Sequence, residues 1–248
     1  MTSYQEPHKL VIDLGNSRAK TAVFNKNEIV TVFTIEDPSP DRLLSLGLDR
    51  FNMTAGIISS VSDNPESYMA AFPELSWIML NAGTPLPIRN NYQTPETLGK
   101  DRLAGVVGGH LMKPGQDLLI IDAGTALTID FISREGVYSG GSISPGLSMR
   151  FNALHTFTTR LPLLKYEEID FLTGRNTHQS ILTGVINGMR AEIDGIIDLY
   201  RISCPDVSVI LTGGDTYYFE KILKNNIFAF PNLVLTGLKL ILDYNFEK

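Results

Sequence analysis

Two short stretches of this sequence pair a carboxylate with a glycine turn. Asp13-Leu14-Gly15-Asn16-Ser17 follows the apolar run Leu10–Ile12, and Asp122-Ala123-Gly124-Thr125 follows Leu119–Ile121. In each, an apolar strand breaks at Asp-x-Gly, passes small polar residues and resumes as a strand. The second resumes as a clear alternation, with Leu127, Ile129 and Phe131 on one face. Such a turn sets backbone N–H groups and one carboxylate at a strand end. N–H groups and threonine hydroxyls can hold phosphate oxygens, while a carboxylate such as Asp122 faces a cation. The two turns lie a little under half the chain apart. That spacing predicts two related halves rather than a solenoid, and two phosphate loops facing each other across a cleft.

A third stretch, Thr97-Leu98-Gly99-Lys100-Asp101-Arg102, enters a helix whose continuation to His110 is rich in small residues. Small residues let another backbone approach closely. Asp101 and Arg102 fall near the first turn. An arginine at a helix N-terminus suits an anion, and a carboxylate beside it can act as a base. The same residues also fit a capping aspartate next to a solvent-exposed arginine. Thr177, ahead of the long pattern His178–Ile202, is either the helix cap or a ligand contact. Gly213-Gly214 closes the strand Val207–Leu211 at the edge where α/β sheets usually bind ligands.

The elements that must position these residues alternate. A meander (Lys9–Leu14, Lys20–Asn25, Glu28–Thr34) is followed by strands at Gly56–Val61 and Trp77–Leu80 with helices between. This is an α/β pattern. Ser144 and Pro145 read as the start of a helix. Asn232–Tyr244 reads as a short strand, a Gly237 turn and a final helix. Ile181, Val185, Met189, Ile193 and Ile196 form an apolar stripe suited to a core or a dimer interface.

Composition narrows the function. The chain has 248 residues, a net charge of −6 and one cysteine, Cys204. Such a charge argues against nucleic acid or an anionic membrane surface as a partner. One cysteine forms no disulfide framework. The N-terminus lacks a signal-peptide core, and no apolar run reaches the ~20 residues of a membrane span. A soluble cytoplasmic protein is expected. No His/Cys set has metal-ligand spacing, and no Walker A pattern occurs.

In order along nearly the whole chain, these motifs resemble the type III pantothenate kinases, of the acetate and sugar kinase, actin and heat-shock chaperone ATPase superfamily. The resemblance rests on Asp13–Ser17, Tyr92, Gly99–Arg102, Asp122–Thr128, Gly140–Gly146, Thr177 and Leu211–Asp215. It implies an α/β fold of two ribonuclease-H-like halves around an ATP cleft. Residues 1–115 would hold the first phosphate loop and the substrate motif, and 116–248 the second loop and the adenosine-side Gly-Gly turn. It implies a homodimer with pantothenate near the subunit interface. It implies ATP-dependent phosphorylation of pantothenate to 4'-phosphopantothenate, the first step of coenzyme A synthesis.

The resemblance also implies roles. Asp13, Leu14, Gly15, Asn16, Ser17, Arg18, Ala19 and Lys20 would bind ATP, joined by Thr125 on its phosphates. Asp13 would lie near Mg²⁺. Asp122 would hold a monovalent cation, K⁺ or NH₄⁺. Tyr92, Gly99, Lys100, Asp101, Arg102 and Thr177 would hold pantothenate, with Thr177 reaching the partner subunit's site. Asp101 would accept the proton of the pantothenate hydroxyl, and Arg102 would pair with its carboxylate. Two residues depart from the common pattern: Ser17 stands where threonine is usual, and Lys100 where a small residue is common. Lys100 could touch Asp101, a phosphate or solvent. Other readings are a sister kinase with another small substrate, or a silent regulatory relative. Loss of Asp101 or Asp122 would mark the latter, and both are present.

Overall fold

The computed structural model describes residues 7–15, 18–60 and 64–246. Asn16 and Ser17 of the expected first loop lie outside these residues. The chain divides into two compact units, 1–112 with 233–248, and 113–232.

The first unit is built on β1 (His8–Leu14), β2 (Arg18–Asn25), β3 (Glu28–Glu36), β4 (Met53–Ser60) and β5 (Ser76–Met79). Their order is β3-β2-β1-β4-β5, with β1–β3 an antiparallel meander and β4 and β5 parallel to β1. Period-two alternation sends Leu10, Ile12 and Leu14 to one face. There they meet Leu43 of α1 (Pro40–Leu44), Tyr68 of α2 (Glu66–Met69) and Phe72. Val11, Ala22, Phe24 and Ile57 face the other way. They pack against α3 (Lys100–Met112) and the last helix, Leu233–Phe246. A two-residue strand, β6 (Arg89–Asn90), precedes α3.

The second unit repeats the plan. Its strands are β7 (Leu118–Ala123), β8 (Ala126–Ile132), β9 (Val137–Pro145), β10 (Ser208–Thr212) and β11 (Phe228–Ala229). They lie in the order β9-β8-β7-β10-β11, with the same pattern of antiparallel and parallel pairs. Its helices are α4 (Leu147–Thr156), α5 (Thr177–Ser203) and α6 (Thr216–Ile222). The α5 stripe packs with Leu119, Ile121, Leu127 and Ile129 of the sheet. Ile197 rather than Ile196 completes its buried end. The stripe is therefore the core of this unit, and it carries no argument for a dimer.

Three local expectations are corrected. Ser144 and Pro145 end β9, where Pro145 pairs with Ala126, and Gly146 caps α4 instead. Asn176, not Thr177, caps α5: its side chain accepts from the Gln179 N–H at 2.9 Å. Residues 233–246 form one helix, α7, with no turn at Gly237. This helix belongs to the first unit, so the boundary expected at 115/116 shifts to 112/113 and the last segment changes sides. The cause is close helix packing. A methyl group on Gly237 would stand 1.8 Å from the Ala104 carbonyl oxygen, and one on Gly108 2.8 Å from that of Leu233. The glycines are contact points between two backbones.

Two alanine substitutions should separate this role from ordinary helix propensity. Gly237→Ala must push α7 off α3 and is expected to destabilise by about 1–3 kcal/mol. Gly195→Ala, on the exposed face of α5, meets nothing within 4 Å. It is expected to stabilise by about 0.5–1 kcal/mol through helix propensity. Urea unfolding midpoints of the two variants check both signs. Among the described residues, no helix is long and apolar enough to cross a membrane.

Candidate functional site

In the first unit, β1 and β4 run parallel and end together. Asp13 lies opposite Ser59 in register, and the Ser59 hydroxyl donates to its carboxylate. The turn after β1 closes with the Gly15 N–H on the Arg18 carbonyl at 2.9 Å. Burial pushes the Asp13 pKa up to about 6, and the Asp101 carboxylate nearby adds to the rise. Ser59 and Lys20 act against it. A buried carboxylate with a second one near enough to oppose its ionisation makes a place for a cation.

Asp101 sits in the first turn of α3, exposed, its Oδ1 accepting from the Arg102 N–H at 2.8 Å. The carboxylate folds back over Gly99, where a methyl group would stand 2.6 Å from Asp101 Oδ1. That contact is the local reason for glycine ahead of the aspartate. Arg102 is 7 % exposed, so the alternative of a solvated arginine is not what the structure holds. Its guanidinium lies 5.6 Å from the centre of the Tyr92 ring, within cation–π range. Lys100 donates from Nζ to the Ser60 carbonyl at 2.7 Å. It thus ties the start of α3 to the end of β4.

The second unit repeats the strand-end device. Asp122, next to the last residue of β7, lies opposite Thr212 of β10, so the two side chains share a face of the sheet. The turn closes with the Gly124 N–H on the Ala126 carbonyl at 3.1 Å. Gly213 adopts φ +97°, and a methyl group there would stand 2.4 Å from both Asp122 Oδ1 and the Ala123 carbonyl oxygen. The Gly213 backbone thus lies directly against the Asp122 carboxylate. Thr212 is 1 % exposed, and its hydroxyl has no hydrogen-bond partner among the described residues. Thr125 stands exposed at the tip of the turn.

Thr177 is exposed at the start of α5. With Asn176 as the cap, its hydroxyl is not needed for that role. It lines a cavity of about 770 Å³ with Arg150, Leu161, Ile181 and Val185. Arg150 is held by Glu192 and the Pro145 carbonyl. None of the other expected site residues lines this cavity.

Sequence reasoning missed Ser59 and Thr212. The signal was present: each is a polar residue ending an apolar strand, but nothing in the sequence says which strand end lies beside which aspartate.

Comparison with known proteins decides the family. Residues 9–199 match the model of the type III pantothenate kinase family. The chain belongs to that family. It is 45 % identical over 238 residues to the type III pantothenate kinase of Phocaeicola vulgatus, covering 95 % of this chain and 98 % of that one. It is 39 % identical over 240 residues to that of Flavobacterium johnsoniae, covering 96 % and 98 %. Among solved structures, a Baf family protein from Campylobacter jejuni superposes with a TM-score of 0.62 at 21 % identity, covering 96 % of this chain and all of that one. Component A of the (R)-2-hydroxyglutaryl-CoA dehydratase of Acidaminococcus fermentans gives 0.56 at 13 %, covering 98 % and 100 %. Polyphosphate/ATP-glucomannokinase from Arthrobacter sp. strain KM gives 0.51 at 12 %, covering 97 % and 100 %. At these identities the structures speak for the fold alone: two α/β units that repeat one strand order. The family's reaction is ATP-dependent phosphorylation of pantothenate, in coenzyme A biosynthesis, and this chain is an enzyme of that class.

Proposed function

We propose that this chain carries out the transfer with Asp101 as the proton acceptor for the pantothenate hydroxyl. Arg102 then pairs with the pantothenate carboxylate, beside Tyr92. The observation that carries this reading is the first turn of α3. There an exposed carboxylate and a buried, ring-backed guanidinium are adjacent residues. One end holds an anionic substrate, and the other takes a proton from it. Phosphoryl transfer asks a protein chiefly for positioning and charge neutralisation. Lys100, tied to β4, acts here by fixing the turn.

The nucleotide side follows the repeated strand ends. Asp13–Lys20 of the first unit and Thr125 of the second contact ATP. Asp13 is the fitting residue for Mg²⁺. Its carboxyl is held partly protonated near neutral pH by burial and by Asp101, and a divalent ion relieves both costs. Mg²⁺ is commonly held by one or two carboxylates plus phosphates and water, so no larger ligand cluster is required. When bound, it neutralises charge on the transferring phosphoryl group. Asp122 fits a monovalent cation: its carboxylate lies against the Gly213 backbone, and the orphaned Thr212 hydroxyl shares its face. Thr177 contributes to the pantothenate site of a partner subunit in a homodimer, and the enzyme works in the cytoplasm.

The test is pantothenate-dependent ADP release in the native protein and Arg102→Lys. Lysine keeps the charge but loses the planar fork. The KM for pantothenate is expected to rise at least tenfold while the KM for ATP stays within twofold. Equal rises for both substrates would place Arg102 elsewhere.

A further inference from the structure

Lys100 is the first residue of α3, directly before Asp101. Its Nζ donates to the Ser60 carbonyl at 2.7 Å. That bond fixes the turn, and it also fixes where a positive charge stands. Ser60 ends β4 and follows Ser59, whose hydroxyl donates to Asp13. The parallel register pairs Asp13 with Ser59 and Leu14 with Ser60. The ammonium is therefore held at the same strand ends as Asp13, one residue further on. Asp101 completes the set. It is the chain neighbour of Lys100, and its carboxylate is near enough to Asp13 to oppose its ionisation. Asp13, Ser59, Ser60, Lys100 and Asp101 form a ring of neighbours at one edge of the first unit's sheet.

Stability does not ask for a lysine at this place. The first turn of a helix carries partial positive charge, so an anion there gains about 0.3–1 kcal/mol and a cation loses by the same field. The first turn of α3 holds Lys100 and Arg102 against the single carboxylate of Asp101. A neutral donor such as glutamine would satisfy the Ser60 carbonyl without that cost. What glutamine would not supply is a full charge for an arriving anion.

The reaction says which anion arrives. A base must come within about 3 Å of the hydroxyl that it serves. The hydroxyl oxygen must in turn stand about 3–3.5 Å from the phosphorus that it attacks. With Asp101 as the base, the transferring phosphoryl group lies about 6 Å from its carboxylate, on the side of Asp13. Lys100 is held beside both carboxylates. We propose that the Lys100 ammonium contacts the γ-phosphoryl group of ATP and neutralises its oxygens during transfer. An ammonium has three donors, so the bond to Ser60 can persist while phosphate oxygens take another.

In the step, the pantothenate hydroxyl oxygen bonds to the γ-phosphorus as the bond from that phosphorus to the β–γ bridging oxygen breaks. The hydroxyl proton goes to Asp101, and the bridging oxygen leaves with ADP. Lys100 stays charged throughout and gives up no proton. This assignment rests on Asp101 as the base and Asp13 as the residue for Mg²⁺. It takes Lys100 out of the pantothenate set that the resemblance implied and gives it to the group that is transferred.

The test is calorimetric binding of β,γ-imido ATP and of ADP, each with Mg²⁺, to the native protein, Lys100→Met and Lys100→Arg. Methionine keeps the stem and removes the charge, whereas arginine keeps a charge. Lys100→Met is expected to bind the ATP analogue about tenfold more weakly or worse, because a charged donor to phosphate is lost. Its affinity for ADP, which has no γ-phosphate, should stay within about twofold of native and so also report an intact fold. Lys100→Arg should restore most of the affinity for the analogue. The kcat of Lys100→Met should fall about tenfold or more, with the KM for pantothenate little changed. Equal losses for ADP and the analogue would overturn the proposal and leave Lys100 only its hold on the turn. So would a native kcat with a raised KM for pantothenate, which would return Lys100 to the pantothenate set. Failure of the underlying reading looks different. Asp101→Asn would then turn over at the native rate, while the two nucleotides on Lys100→Met would still decide the phosphate contact.

Discussion

Asp101→Asn is expected to lower kcat for pantothenate-dependent ADP release by about 10²–10⁴, or about 3–5 kcal/mol of transition-state stabilisation. Asparagine keeps the size and the oxygen that accepts from the Arg102 N–H, so the turn over Gly99 should survive. What disappears is the proton acceptor. A base acts in the transition state, so kcat and kcat/KM should fall together while the KM for pantothenate changes little. Initial rates at saturating ATP, with pantothenate varied, separate the cases. A fall in kcat/KM that comes from KM alone would make Asp101 a binding residue. Unchanged kcat would remove it from the chemistry.

Asp13→Asn is expected to do two opposite things. The native carboxyl has a pKa near 6 against an ordinary value of 3.8. Between those values the folded protein holds a proton that the unfolded chain has released. Stability contributed by this group therefore falls as pH rises through that window and stays low above it. Asparagine carries no charge and escapes the cost. At pH 8, without ligands, the variant should be more stable than the native protein by about 2–4 kcal/mol. Near pH 3.5 the advantage should be gone. Mg²⁺ with ATP should raise the native unfolding temperature and leave that of the variant nearly unchanged, because a ligand stabilises only what it binds. Turnover should be lost. Thermal unfolding at the two pH values, with and without Mg²⁺ and ATP, measures all of this. A variant no more stable than the native protein at pH 8 would mean that Asp13 is not strained in the free enzyme.

The strand-turn-strand devices at Asp13 and Asp122 were legible in the sequence because they are local. An apolar run, Asp-x-Gly and an alternating run each depend only on neighbours a few residues apart. Their repetition half a chain apart revealed two halves, and the structure has the same strand order twice. The residues of α3 were legible for the same reason, since Gly99, Asp101 and Arg102 meet within one helical turn.

What required the tertiary structure is everything that depends on which distant elements meet. Gly237 read as a turn because glycine breaks helices locally, yet it marks where α7 touches Ala104 of α3. That contact moved the last helix into the first unit. Thr177 and Asn176 are both good caps by type, and only backbone geometry chose Asn176. Lys100 was undecided until the end of β4 came to lie beside it. Ser59 and Thr212 are ordinary strand residues until parallel pairing sets each opposite an aspartate. The sequence by itself determined which groups can do chemistry. Parallel register and helix–helix packing, which join residues tens to hundreds of positions apart, decided which groups act together.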